Sequence, residues 1–221
     1  SGAMDGGISD WSRLERLTPF RIRDVLLVAS HFDHYLLEES GYLAEIMRRE
    51  YSDLSFSQAP RIIHSPEAGD ALRLLRSRDF DLVITMTRVG EMDVKAFGSE
   101  AKRIRDGLPV VMLSHNTREL ATLSAGDGID RIFVWTGDSR ILLSICKLIE
   151  DERNVENDVR DGDVQVILLV EDSRRFYSVY LPLLYTELVN QTTRLMGEGG
   201  NLYEKLLRLR ARAKILLASD M

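Results

Sequence analysis

The sequence FDLVITMTRVGEMD, residues 80–93, decides the fold class of the chain. From Leu82 to Met86 it is almost entirely β-branched or apolar, without the alternation of apolar and polar residues that is typical of a half-buried strand. Such a pattern indicates a strand that is buried on both faces of a parallel sheet. A turn at Gly90 then leads to Asp93, a residue type that caps helix N-termini. The stretch therefore predicts a central strand, a loop at its carboxyl end and a helix that begins after Asp93.

Strands and helices alternate on both sides of this stretch. Four more short apolar runs predict strands, at residues 25–28, 61–63, 110–113 and 132–134. Apolar residues at helical spacing lie between them, including a short run around Leu120 and Leu123. Right-handed crossovers between parallel strands place helices on both faces of a sheet. We therefore predict an α/β fold with a flavodoxin-like, doubly wound sheet of five parallel strands in the order 2-1-3-4-5.

The remainder of the chain predicts a division into two parts. Residues 153–163 are mostly charged and lack an apolar stripe, which indicates a solvated linker, with continuation of the preceding helix as the alternative. Beyond it the beginning of the chain recurs, because ILLV at 167–170 matches VLLV at 25–28 and a second short strand follows at 214–217. The predicted parts are a tag remnant and N-terminal tail at 1–20, a complete domain at 21–152, the linker at 153–163, and the N-terminal part of a second domain, a partial β-α-β unit, at 164–221.

Composition excludes several classes of function. The chain has 44% hydrophobic and 29% charged residues, which predicts a packed core. Its net charge of -6 argues against nucleic acid and against an anionic membrane surface as partners, since both attract clustered Lys and Arg. The single cysteine, Cys146, excludes an internal disulfide and a cysteine-based zinc site. Because no signal peptide or long apolar span is present, we expect a cytoplasmic location.

The stretch at 80–93 and the alternation around it resemble the response-regulator receiver (CheY-like) family. That resemblance implies an acid pair for Mg²⁺ after the first strand, a phosphoacceptor aspartate after the third, a hydroxyl after the fourth and a lysine after the fifth. The matching positions in this chain are Ala29 and Ser30, Met86, Ser114 and Trp135. Among these, only the hydroxyl is kept. The resemblance thus implies a pseudo-receiver without phosphoacceptor in its first domain, which is not an enzyme and carries no cofactor.

Trp135 and two histidines near these strand ends allow two interpretations each. We interpret Trp135 as filling the space that the missing lysine and acids leave, with an aromatic anchor at a partner surface as the alternative. His31 and His115 also follow strand ends. Two histidines without a nearby carboxylate or thiolate are weak evidence for a metal site, so we interpret them as surface residues.

The second copy keeps Glu171 and Asp172, which resemble the metal-binding acid pair. Magnesium is expected only in a complete second domain, because the rest of the site is missing from this chain. The helical stretch at 176–189 is apolar around much of its circumference, which predicts burial on more than one side. The tandem arrangement resembles the N-terminal region of phosphoenolpyruvate-synthase-like signalling proteins.

These observations predict a regulatory or protein-interaction module of a two-component-type signalling protein. Its partner is expected to be another protein or its own downstream output domain. In a 2-1-3 order the strand at 166–170 lacks one neighbour, which leaves an apolar edge open. We therefore expect a homodimer through residues 164–221 beside an independently folded first domain, with a fold-back of this segment onto its own first domain as the alternative. The alternative function is a small-molecule sensor or an enzyme fragment that uses the cleft near Ala29, Met86, Ser114 and Trp135.

Overall fold

The computed structural model describes residues 15–39, 60–115, 125–195 and 210–219. Its strands and helices are β1 Asp24–Val28, α1 His31–Glu39, β2 Arg61–Ser65, α2 Ala68–Ser77, β3 Leu82–Met86, α3 Val94–Ile104, β4 Val110–Ser114, β5 Arg131–Val134, α4 Arg140–Gly162, β6 Val166–Val170, α5 Arg174–Leu195 and β7 Lys214–Ala218. The short helix predicted around Leu120 and Leu123 lies outside the described residues.

The first five strands form one parallel sheet in the order β2-β1-β3-β4-β5, as predicted. The fold is thus α/β and flavodoxin-like. Strand β3 lies at the centre and all five of its residues are buried, which explains its continuous apolar run. Asp93 caps α3 as predicted, because its carboxylate accepts hydrogen bonds from the backbone N–H groups of Lys95 and Ala96 at 3.0 and 3.1 Å.

The sheet separates two apolar cores. Alternate residues of each strand point to opposite faces, so Leu26 and Val28 of β1 enter the core beneath α2 and α3. Val25 and Leu27 enter the opposite core, where α4 and α5 pack. The second core also contains Tyr177, Leu181, Ile215 and Leu217, which come from the second copy. The second copy, where it is described, therefore shares a core with the first copy.

Helix α4 shows that the predicted linker at 153–163 is wrong. The helix is 23 residues long and runs without interruption from Arg140 to Gly162. No apolar stripe continues past residue 152, because the buried face of its second half is polar. Glu150, Asn154 and Asp158 lie one helical turn apart on this face and are each at most 3% exposed.

This polar face binds the backbone of the segment before β1. Glu150 accepts a hydrogen bond from Ile22 N–H at 2.9 Å, and Asp158 accepts one from Thr18 N–H at 2.8 Å. Between them, the Asn154 amide accepts from Phe20 N–H at 2.9 Å and donates to Phe20 C=O at 2.8 Å. Buried polar groups are tolerated when they are hydrogen-bonded, so this face serves as a template for an extended strand-like segment.

Asp151, which is 1% exposed, joins α4 to the second copy. Its carboxylate receives two hydrogen bonds from the Arg212 guanidinium, at 2.8 and 2.9 Å. It also accepts from Ile215 N–H at 2.9 Å and from the Tyr185 hydroxyl at 3.0 Å. Burial would lower the pKa of Arg212, but the Asp151 carboxylate outweighs burial and raises it. Lys214, equally buried, places its Nζ 2.8 Å from Asp158.

Helix α5 covers the outer edge of β5. The Ser178 hydroxyl accepts from Val134 N–H at 2.9 Å, and the Tyr177 hydroxyl donates to Ile132 C=O. The second copy therefore folds back onto the first, which is the arrangement given as the alternative in the sequence analysis. Burial of α5 on more than one side is wrong, because its outer face is 37 to 52% exposed at Phe176, Val179, Tyr180 and Leu183.

We predict that Asp151→Ala destabilises the protein by about 3–5 kcal/mol, because it leaves Arg212 as a buried charge without its carboxylate. Urea unfolding followed by circular dichroism measures this change. Asp161→Ala on the same helix is the matched control, since Asp161 forms an exposed pair with Arg160, and we expect no measurable change. Equal stability of the two variants would contradict a structural role for the Asp151 network.

Candidate functional site

The five positions that match receiver-site residues lie together at the carboxyl edge of the sheet. Ala29 follows β1, Met86 ends β3, Ser114 ends β4, and Trp135 follows β5. The strands pair so that Trp135 N–H donates to Ser114 C=O at 2.8 Å. Ala29, Met86 and Ser114 are at most 1% exposed. Their side chains thus belong to the interior beneath the edge.

Ser30 uses its hydroxyl to start α1. It donates to the Asp33 carboxylate at 2.7 Å and accepts from Asp33 N–H at 3.1 Å. This reciprocal pair is the geometry of an N-terminal cap, in which a side chain satisfies one of the unpaired N–H groups of the first turn. The side chain at this position therefore serves helix formation.

Trp135 is half-buried and packs against the core that contains Met86, Phe133 and Ile141. Its indole N–H is buried and has no hydrogen-bond partner within the described part of the chain. A buried N–H group without a partner costs free energy, so apolar contact must compensate for it. This packing agrees with the space-filling interpretation of Trp135.

A histidine cluster, which the sequence did not reveal, lies beside Ala29. It consists of His31, His34 and His64. The rings of His34 and His64 are stacked with their centroids 3.9 Å apart, and the ring of His31 meets that of His64 edge-on at 5.7 Å. His64 Nε2 is 2.7 Å from Ala29 C=O. The cluster therefore lies at the carboxyl ends of β1 and β2.

Two signals in the sequence point to this cluster. His31 and His34 are three residues apart at a helix start, so they share one face of α1. His64 precedes the last residue of β2, which pairs with β1. His31 and His115 are both exposed, as expected. Where the chain is described, no three His, Cys, Asp or Glu side chains are placed to hold a metal ion together.

Glu171 and Asp172 follow β6 and lie at the end of the second, two-stranded sheet. Glu171 accepts a hydrogen bond from Ser173 N–H at 2.9 Å, while Asp172 is exposed. Both carboxylates precede α5. Their role as a metal-binding pair remains an expectation that depends on a complete second domain.

A crevice of about 70 Å³ opens beside β5, and it is lined by Val134, Thr136, Asp138, Ile141, Ser178, Val179, Pro182 and Leu183. Pockets for cofactors and drug-sized molecules usually enclose about 300 Å³ or more. Its lining comes from β5 and the loop after it, from α4 and from α5, so the crevice belongs to the contact between the two copies. None of the described helices is both long enough and apolar enough to span a bilayer.

Solved structures with a similar fold are receiver domains. A CheY-like response-regulator receiver domain protein from Methanospirillum hungatei is 20% identical, with a TM-score of 0.47, over 61% of this chain and 98% of that one. The signal receiver domain of an HD-domain protein from Pseudomonas fluorescens is 20% identical, with a TM-score of 0.43, over 63% and 94% of the two chains. A chemotaxis response regulator of Vibrio cholerae is 15% identical, with a TM-score of 0.43, over 56% and 95%.

No family model and no curated protein matches the sequence. The likeness to the solved structures is too distant to carry an argument about activity or residue roles. The fold assignment depends instead on the strand order and register of the chain itself.

We predict that acidic pH lowers the free energy of unfolding of the protein partly through His34. Burial lowers the pKa of His34 below 6.5, and the neighbouring His64 lowers it further, although Glu38 opposes this effect. As the pH falls below 6.5, the unfolded chain takes up this proton before the folded chain does, so the free energy of unfolding decreases. Urea unfolding at several pH values should show a shallower loss of stability for His34→Gln than for the wild type.

The matched control is His115→Gln, which changes an exposed histidine at the same edge of the sheet. Its pH dependence should follow that of the wild type more closely than His34→Gln does. An unchanged slope in His34→Gln would show that the stacked pair does not couple to folding.

Proposed function

We propose that the chain is a pseudo-receiver, a regulatory or protein-interaction module of a two-component-type signalling protein, without phosphoryl transfer in its first domain. Met86 supports this proposal most directly. It ends the central strand, where receivers carry the acceptor aspartate, and its side chain is 1% exposed within an apolar core. A buried thioether is no substitute for an anionic carboxylate nucleophile.

The neighbouring positions support the same proposal. Mg²⁺ needs oxygen ligands, but Ala29 offers only a methyl group and the Ser30 hydroxyl caps α1. A transferred phosphoryl group needs a cation beside its oxygens, and Trp135 carries no charge. Asp33 approaches this edge, where it bonds Ser30 and lies 3.9 Å from His115. One carboxylate without a nucleophile and a cation does not complete the chemistry.

Protein is the partner class that the surface favours. The net charge of -6 gives no attraction to nucleic acid or to anionic lipid. The exposed apolar side chains of α5 and β6 suit another protein surface, either a downstream output domain or a second copy. We propose association of two copies through residues 164–221. The rival function, a sensor or enzyme that uses the cleft, would require a ligand near Ala29, Met86, Ser114 and Trp135, and a thermal shift with nucleotides or flavins would favour it.

We predict that the purified protein gains no label from radioactive acetyl phosphate with Mg²⁺, because residues 21–152 lack a nucleophile and a metal site. Met86→Asp alone should also remain unlabelled, because Ala29, Ser30 and Trp135 still provide neither ligands nor a cation. Circular dichroism must show that this variant folds, since it places a carboxylate in an apolar core. An acyl-phosphate label that maps to residues 21–152 of the wild type would contradict the proposal.

Association is measured by light scattering of the full chain over a range of concentrations. We expect the mass of a dimer at high concentration and dissociation on dilution. Deleting residues 164–221 would uncover the core that α4 and α5 share, so point variants of exposed residues are the sharper test. A monomer at every concentration would contradict the proposed association.

A further inference from the structure

Strand β6 has one paired edge and one open edge. The backbone N–H and C=O groups of its odd-numbered residues point to β7. Gln165 C=O accepts from Lys214 N–H at 2.9 Å, and Glu171 N–H donates to Ala218 C=O at 3.1 Å. In a parallel ladder, alternate residues direct their N–H and C=O groups to opposite edges, so the even-numbered residues of β6 point away from β7. Those residues are Val166, Leu168 and Val170, and β6 has no neighbour on that side among the described strands.

The side chains of the same three residues are also uncovered. Val166, Leu168 and Val170 are 42, 61 and 51% exposed, whereas Ile167 and Leu169 pack against the core. Because the three alternate along a strand, they lie on one face of the sheet. An edge that is both apolar and unpaired is a template for another strand.

We propose that β6 pairs with β6 of a second copy in antiparallel orientation, with Leu168 opposite Leu168. This inference rests on the association through residues 164–221 that is proposed above. An antiparallel pairing of one strand with itself has a two-fold axis, so the same groups of both copies form the contact and the assembly closes as a dimer. The two copies would form a four-stranded sheet in the order β7-β6-β6-β7.

The backbone selects the registers that are possible. The open-edge groups belong to even-numbered residues, so these must form the hydrogen-bonded pairs. With Leu168 on the axis, Val166 lies opposite Val170 of the other copy. Each of the three resulting pairs exchanges two hydrogen bonds. The exposed side chains of both copies then form one continuous apolar row.

Charge selects this register among its neighbours. Acids flank β6 at Asp163, Glu171 and Asp172. With Leu168 on the axis, Gln165 lies opposite Glu171 and Asp163 opposite Ser173, so no acid faces an acid. Asp172 lies opposite Val164, which is outside β6 and outside the exposed row. Shifting the pairing by two residues places either Asp163 opposite Glu171 or Val166 opposite Asp172. Like charges directly opposite are destabilising, and so is a carboxylate against an apolar row.

Cysteine cross-linking of the full chain tests the register. In the proposed dimer the two Cα atoms of residue 168 lie about 5.5 Å apart, which permits a disulfide. Leu168→Cys should therefore form a covalent dimer under mild oxidation. Val166→Cys is the matched control, because its two copies lie about 14 Å apart along the strands and cannot be bridged. Val166→Cys combined with Val170→Cys should again cross-link. The native Cys146 is buried, and burial raises the pKa of its thiol, so the wild type gives the baseline.

Light scattering of Leu168→Lys separates this inference from the broader proposal. Two lysines opposite each other on the axis should make the dimer dissociate at concentrations where the wild type remains associated. Phe176→Lys on the outer face of α5 is the control and should remain a dimer. If Leu168→Lys stays dimeric, or if Val166→Cys alone cross-links, the strand pairing is overturned while the association stands. If the wild type is a monomer throughout, the association itself is overturned.

Discussion

The buried carboxylate of Asp151 is the constraint on which the arrangement of the two copies depends. A charge without a partner in a protein interior is strongly unfavourable, so Asp151 is tolerable only when its donors are in place. These donors come from β7, from the segment before it and from α5. Because one of them is the backbone N–H of Ile215, a slip of β7 by one residue would remove that donor. The charge thus fixes the register of the second copy against α4.

The sheet could be predicted from the sequence because its inner strands β1, β3 and β4 are buried on both faces. Each of them appears as a short apolar run, and the helical stretches between the runs indicate a doubly wound parallel sheet. Helix α4 could not be predicted beyond residue 152 for the opposite reason. Glu150, Asn154 and Asp158 show a regular spacing of four residues, but a search for buried helix faces expects apolar side chains. Their partners, at residues 18–22, lie more than 120 positions earlier and have no visible relation to them in the sequence.

The candidate site, too, could be predicted from the sequence only in part. Its five receiver-like positions follow from the spacing of strand ends, which is a local property. The histidine cluster depends on which strands are neighbours, since β2 must lie beside β1 before His64 can stack on His34. The fold-back of the second copy also depended on polar contacts, because hydroxyl groups of α5 complete the edge of β5. The apolar helix α5 suggested an interface, either with a second molecule or with the first copy. The hydrogen bonds of Tyr177 and Ser178 to β5 show that α5 packs on the first copy.

The contacts of Thr18 have a consequence for how the chain is made. This residue bonds Asp158, 140 positions later, and accepts a hydrogen bond from Lys214, 196 positions later. During synthesis β1 to β5 can assemble while Arg212 and Lys214 are still inside the ribosome, but Asp151 must then stay hydrated and the face of α4 open. Contacts of such long sequence separation form late, and they leave apolar surface exposed in the meantime. The packing of α4 therefore forms only after Arg212 and Lys214 have left the ribosome, and until then a chaperone has apolar surface to protect.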